Sequence, residues 1–302
     1  MIFLQILFFL CVSPLLSGLI TKIKNNLRMR RGQSVFQPYY NLAKFFSKGE
    51  VISDAASWIF RAAPFVVVAS SLAAAALIPV FISSSPMEYA GDFLALIFIL
   101  ALGRFFMALA ALDAGSAFGG MGSSREMFIA SLVEPVACLV VFSIFLQTGS
   151  TNIAEFCGAH ALSAAFVIGA CALFIVMIAE TSRVPVDNQE THLELTMVHE
   201  AMMLEYSGRS LATIEMASHV RQMIWFFLIA QMIFPVAAPL MGDGGQIMPW
   251  ILWYVARIFI IVIVVAVLEV SVAKMRLFRV ADLLGFAFVL AVVSTVCAIL
   301  GV

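Results

Sequence analysis

Eight stretches of this chain are each about twenty residues long and almost wholly apolar: 1–20, 63–82, 93–112, 128–148, 160–180, 222–241, 250–271 and 281–301. A bilayer core is crossed by ~20 apolar residues of α-helix. In lipid every backbone polar group must be satisfied within the segment, which a helix does and an open strand cannot. The runs are continuous rather than alternating, which also excludes a membrane β-barrel. The pattern predicts an all-α integral membrane protein with eight transmembrane helices, organised as a single polytopic domain over 1–302.

Composition agrees. Of 302 residues, 63% are hydrophobic and only 12% charged, against ~45–50% and ~25% in soluble domains. A soluble enzyme, a nucleic-acid binder and a disordered scaffold are excluded. The first run is read as a retained helix rather than a signal peptide. Its basic residues, Lys22, Lys24, Arg28, Arg30 and Arg31, follow it instead of preceding it.

The cations set the orientation. Fifteen of the seventeen Lys and Arg fall in the connections after helices 1, 3, 5 and 7, and none in those on the other side, which hold only Glu88, Asp92, Glu155 and Asp243. The positive-inside rule then makes the basic connections cytoplasmic. Both termini are expected outside, in the periplasm of a prokaryotic cell (inner) membrane. No Cys pair has the spacing of a cluster or zinc site. No cofactor is therefore expected in this chain.

Two cytoplasmic connections are long, and connections of that length usually carry function. Loop 21–62 holds eight cations against Glu50 and Asp54. Its Phe36, Tyr39, Tyr40, Leu42, Phe45 and Phe46, set among Lys44 and Lys48, read as an amphipathic helix at the headgroups. Its cations serve either topology and anionic lipid or the docking of a partner subunit. Loop 181–220 is the reverse, with Arg183 and Arg209 against Asp187, Glu190, Glu194, Glu200, Glu205 and Glu215. Asn188 or Asp187 is placed to cap a helix entering at Gln189 and ending at Gly208. Interleaved Leu193, Leu195, Met197, Val198, Met202, Met203 and Leu204 require one side of it to be buried. Crowded like charges raise one another's pKa, which makes them candidate proton acceptors. The seven-residue spacing of His192 and His199 matches no common metal-ligand pattern.

Ionisable groups inside spans are functional hypotheses by default. Glu134 falls ~9 Å inside helix 4 and Arg104 ~12 Å inside helix 3, at 1.5 Å per residue. A buried pair or hydrated relay fits them better than snorkelling. Glu180, Glu269 and Asp282 stand near the cytoplasmic ends of helices 5, 7 and 8, where snorkelling is an equal alternative. Arg257 is alone in the outer half.

Four long motifs then resemble a known family: R-R-G-Q-S-V-F-Q-P-Y-Y-N-L-A-K (31–45), A-S-W-I-F-R-A-A-P (56–64), L-D-A-G-S-A-F-G-G-M-G-S-S-R-E-M (112–127) and V-P-V-D-N-Q-E-T-H-L-E-L-T-M-V-H-E (184–200). With E-x-x-R-x-P-x-D and E-Y-S-G they look like subunit 1 of respiratory complex I. Within that superfamily the chain is more similar to the membrane subunit of group 4 nickel–iron hydrogenases, of the formate hydrogenlyase and hydrogenase-4 type. The stretch T-H-L-E-L-T-M-V-H-E looks like the hydrogenase version of the loop.

The resemblance implies a subunit that is not catalytic alone and anchors a hydrogenase complex. Its partners would be the large and small subunits, which carry the nickel–iron and iron–sulfur centres, and antiporter-like membrane subunits. It implies a proton (or Na⁺) path through Asp187, Glu190, Glu194, Glu200 and Glu205 of the loop, continued by Glu134 and Glu180. Arg183 would orient neighbouring carboxylates, with Arg104 and Glu269 as supporting charges. The alternative from the same superfamily is the quinone-binding subunit 1 of a complex I-like NADH:quinone oxidoreductase. A stand-alone transporter would show paired broken helices and internal symmetry, which the sequence lacks.

Overall fold

The computed structural model describes residues 2–53, 56–80, 91–157, 163–187, 197–235 and 247–301, with side chains from 252 onward in the last stretch. Of the described residues 79% are helical, and none of them lies in a strand. In chain order the helices are α1 (Ile2–Leu27), α2 (Gln37–Phe46), α3 (Trp58–Leu77), α4 (Phe93–Asp113), α5 (Ala117–Thr148), α6 (Ile153–Phe156), α7 (Ala164–Glu180), α8 (His199–Met203), α9 (Gly208–Ile233), α10 (Ile247–Ser271) and α11 (Leu277–Leu300). Six of them, α1, α3, α4, α5, α10 and α11, are long and apolar enough to cross a membrane. The chain is a multi-pass membrane protein.

Short polar residues start the helices, because their side chains accept the unpaired N–H groups of a first turn. Ser57 accepts from Ile59 (3.2 Å), Asp92 from Leu94 (3.0 Å), Ser116 from Gly119 (3.1 Å) and Ser163 from Phe166 (3.3 Å). Small residues then let the helices approach, as membrane bundles require. α7 packs on α5 and α11 across Gly169, where a Cβ would lie 2.9 Å from Ser294 Oγ. Ser294 in turn donates to the Ala165 carbonyl (2.8 Å) and lies 2.8 Å from Ser143 Oγ, tying α11 to α7 and α5.

The structure moves three sequence-based boundaries furthest, all at the end of the bundle that carries α2 and α8, called the loop end below. α5 starts at Ala117, not at 128, so Arg125 and Glu126 ride on a helix instead of in a connection. At 1.5 Å per residue its 32 residues span ~48 Å, more than a bilayer core. α9 starts at Gly208, not at 222, so Arg209, Glu215 and Arg221 are helical too. Gly208 opens this helix rather than closing one. Its φ is +52°, and a Cβ there would meet the Gly49 carbonyl oxygen. α1 also runs on to Leu27, which carries Lys22 and Lys24 out of the connection. The amphipathic helix expected between 36 and 48 is α2. Its Leu42 is buried while Tyr40, Phe46, Lys44 and Lys48 are exposed.

Candidate functional site: a buried row of charges

Arg104, in the middle of α4, is 5% exposed and reaches two carboxylates on two other helices. Its Nη2 donates to Glu134 Oε1 of α5 at 2.8 Å, and its Nη1 donates to Glu180 Oε1 at the last residue of α7. Planar guanidinium suits such a double contact better than ammonium does. A charge buried this deeply persists only when paired. The pairing expected for Arg104 and Glu134 is present, and Glu180 joins it. Glu134 is not sealed in, however: 44% of its side chain remains exposed on the side of the bundle.

The row continues towards the loop end through a residue the sequence reading passed over. Glu126 lies eight residues before Glu134 on α5 and is 3% exposed. No hydrogen bond or ion pair reaches it from the described residues; the charges nearest it electrostatically are Arg104, Glu180, Arg221 and Asp187. Arg221 of α9, 6% exposed, faces Glu180 and Glu126 in the same way. Asp187 comes next. It is 2% exposed, accepts from the Val198 amide at 3.0 Å and from Lys274 Nζ at 2.6 Å.

A second buried cluster braces the first. Arg183 donates to Glu269 Oε1 of α10 (2.6 Å) and to Gln222 Oε1 of α9 (3.0 Å). Lys24 of α1 takes the other oxygen of Glu269 at 3.0 Å. Arg183 thus contacts one carboxylate, that of Glu269, which is itself buried. Asp282 is exposed. The turn made by Arg183 also carries Asp187, whose amide donates to the Arg183 carbonyl (3.1 Å).

Among the remaining loop residues, Glu200 stands half-buried on α8, and Glu205 is exposed in the turn after it. Tyr206 anchors that turn. Its hydroxyl donates to the Phe60 carbonyl (2.9 Å) and its ring stacks on the Phe60 ring at 4.0 Å. Glu190 and Glu194, with Asn188, Gln189 and His192, lie outside the described residues.

A polar cavity of about 210 Å³ opens beside α8. His199, Glu200, Glu215 and His219 line it, with Ser17, Thr21, Gln33 and Asn41 from the α1 and α2 side. Burial lifts the Glu215 carboxyl to about 7. Burial also pushes His219 down to about 4, helped by the Arg183 charge. His199 is likewise lowered to about 4 by burial and by Arg221, against the pull of Asp187. Among the described residues no group of three or more His, Cys, Asp or Glu could hold a metal ion, and all five cysteines are free.

A family model described as NADH dehydrogenase matches residues 1–300. The chain belongs to the NADH dehydrogenase family.

Two Escherichia coli (strain K12) family members are similar over most of their length. Formate hydrogenlyase subunit 4 is 31% identical over 91% of this chain and 90% of its own. Hydrogenase-4 component C is 29% identical over 97% and 93%. NADH-quinone oxidoreductase subunit 8 of Rhodothermus marinus is 26% identical over 71% of this chain and 62% of its own. A chain of the membrane-bound sulfane sulfur reductase, an archaeal respiratory membrane complex, shares the fold. It has a TM-score of 0.83, with 19% identity over 98% of both chains. The resemblance drawn from the motifs is therefore met, on both the complex I and the hydrogenase side.

Within the family frame, the residues missed from sequence are Glu126, Arg221, Lys24, Lys274 and Gln222. Glu126 had one available signal: Ser116 is a good N-cap, and a helix begun there sets Glu126 and Glu134 eight residues, just over two turns, apart. The others depend on tertiary contacts that no local pattern announces.

Proposed function

We propose that this chain is the membrane-anchoring and ion-path subunit of a group 4 nickel–iron hydrogenase or formate hydrogenlyase-like complex. It couples redox chemistry in partner subunits to the movement of protons (or Na⁺). The observation that carries this reading is the cluster of ionisable groups inside the bundle: Arg104 in contact with Glu134 and Glu180, with Glu126, Arg221 and Asp187 within their electrostatic reach. Ionisable groups inside an apolar bundle are costly and mark ion routes. Named relatives that are subunits of formate hydrogenlyase and hydrogenase-4 support the choice of complex.

In this reading the chain is one polytopic domain of eight spans, with α7 and the stretch 222–241, which begins inside α9, completing the six longer helices. The basic connections face the cytoplasm of a prokaryotic cell, and both termini lie outside. Loop residues Asp187, Glu190, Glu194, Glu200 and Glu205 collect charge beneath the large and small subunits, which hold the nickel–iron and iron–sulfur centres. Glu180 and Glu134 continue the path. Glu134 ends it at the side of the bundle, where a carboxylate 44% exposed calls for an antiporter-like neighbour rather than lipid.

The test is a Glu134→Gln complex in sealed vesicles. Intact assembly and electron transfer with ion movement lost is the expected result. Ion movement at the wild-type rate overturns the proposal.

A further inference from the structure

We propose that the polar cavity beside α8 is the port at which this subunit loads protons, with Glu215 as the group that takes each one up. The inference rests on the ion-path reading above and gives it a point of origin.

Three observations meet there. The cavity, about 210 Å³, is roomy enough for several waters, since one needs only ~10–15 Å³ of such volume. Glu215 and His219 are four residues apart on α9, so both side chains turn to the same face of the helix, and both line the cavity. His199 lines it from α8, is 8% exposed, and makes no hydrogen bond to any described residue. A buried imidazole left without a partner is aimed at whatever fills the space.

His199 is also the wall that cavity and row share. Its electrostatic neighbours are Arg221 and Asp187, and both are neighbours of Glu126. The port thus lies within electrostatic reach of the row through Arg221 and Asp187.

The groups facing Glu215 suit loading and release. His219 stands on its own helix, and His199 and Glu200 face it from α8; α1 and the segment 33–41 contribute only uncharged side chains to this wall. Burial holds the Glu215 carboxyl at about 7. It therefore changes charge near neutrality, which is the condition for accepting and surrendering a proton at working pH. Both imidazoles stay neutral there, so each can donate through one nitrogen and accept through the other without trapping charge.

The step balances simply. A protonated cavity water gives its proton to the Glu215 carboxylate and remains as water. The new O–H bond then breaks, the carboxylate is restored, and the proton passes through cavity water towards His199.

The experiment compares Glu215→Gln, Glu215→Asp and Glu134→Gln in the whole complex, assembled in membranes and then in vesicles. Redox-driven proton movement is read across pH in sodium-free buffer. For Glu215→Gln we expect movement per electron to be lost and the titration near pH 7 to vanish from the profile. Glu215→Asp restores movement with a displaced profile. Should Glu215→Gln fail to assemble, Ser218→Cys in a background without the native cysteines replaces it. A membrane-impermeant thiol reagent added from the loop side must then label Cys at 218 and stop proton movement. If Glu134→Gln blocks movement while Glu215→Gln, or labelling at 218, leaves it and its pH profile unchanged, the port is overturned and the ion path stands. If neither position matters, both fall.

Discussion

Arg183 and Glu269 are 86 residues apart and meet at 2.6 Å, in a cluster that also takes in Lys24 at 3.0 Å. One carboxylate thus holds together α1, α10 and the turn that follows α7. Removing it leaves two buried cations facing each other. Glu269→Gln is expected to destabilise the detergent-solubilised protein by ~3–5 kcal/mol, the usual cost of an orphaned buried charge. Lys24→Met leaves the Arg183–Glu269 pair intact and should cost clearly less. Thermal unfolding of the two variants side by side checks this order, and equal losses would refute it.

Arg104 makes a different demand, for shape as well as charge. It spans from α5 to α7 by using both terminal nitrogens. Lysine offers the charge on a single nitrogen and cannot reproduce the fork. Arg104→Lys should therefore retain assembly but lose most of the coupled ion movement, while Arg104→Gln should lose both. A Lys variant indistinguishable from wild type in vesicles would show that charge alone is required.

Stability should follow pH through Glu215 and His199 in opposite senses. Glu215 has a folded value of about 7 against an ordinary 4.5. Between those values the unfolded chain holds fewer protons, so rising pH favours unfolding. Relative to Glu215→Gln, the wild type should lose stability as pH climbs from 4.5 to about 7 and then level off. His199, at about 4 against 6.5, does the reverse. Relative to His199→Gln, stability should fall as pH drops from 6.5 through about 4. Denaturation midpoints across this range measure both differences, and parallel curves for wild type and variant would exclude either one.

Helix approach at Gly169 gives a purely structural prediction. A Cβ there meets Ser294 Oγ at 2.9 Å and Met232 Cε at 3.0 Å. Gly169→Val should cost ~1–3 kcal/mol through overpacking. Ser294→Ala, which removes two interhelical hydrogen bonds, should cost ~1 kcal/mol at ~0.6 kcal/mol each. Unfolding in a mild detergent ranks the two.

Some of this architecture could be read directly from residues. The apolar runs specify helices, because lipid permits little else. Arg104 and Glu134 were conspicuous because they interrupt such runs, and Glu180 because it ends one. Glu126 was hidden by its surroundings. Gly119, Gly120, Gly122, Ser123 and Ser124 read as a connection, yet they lie in a helix. Gly122 is needed there for another reason: a Cβ would lie 2.9 Å from both the Val198 carbonyl oxygen and the Ala201 Cβ. Lys24 looked like one more topology-setting cation until α1 proved long enough to carry it to Glu269. Gly208 has the residue type of a helix end, but its positive φ serves the close approach to Gly49. In each case tertiary contact decided what local pattern left open.

α5 has a mechanical consequence. Gly122 lies against α8, and Glu134 stands twelve residues on, immediately before Pro135. Helical backbone yields where a proline removes a hydrogen bond, and the acceptor Pro135 leaves unused is the Ser131 carbonyl. The turn from Ser131 to Pro135 is thus a hinge, and Glu134 rides on it. Tilting the half of α5 that packs on α8 would turn this carboxylate relative to Arg104 instead of carrying it along rigidly.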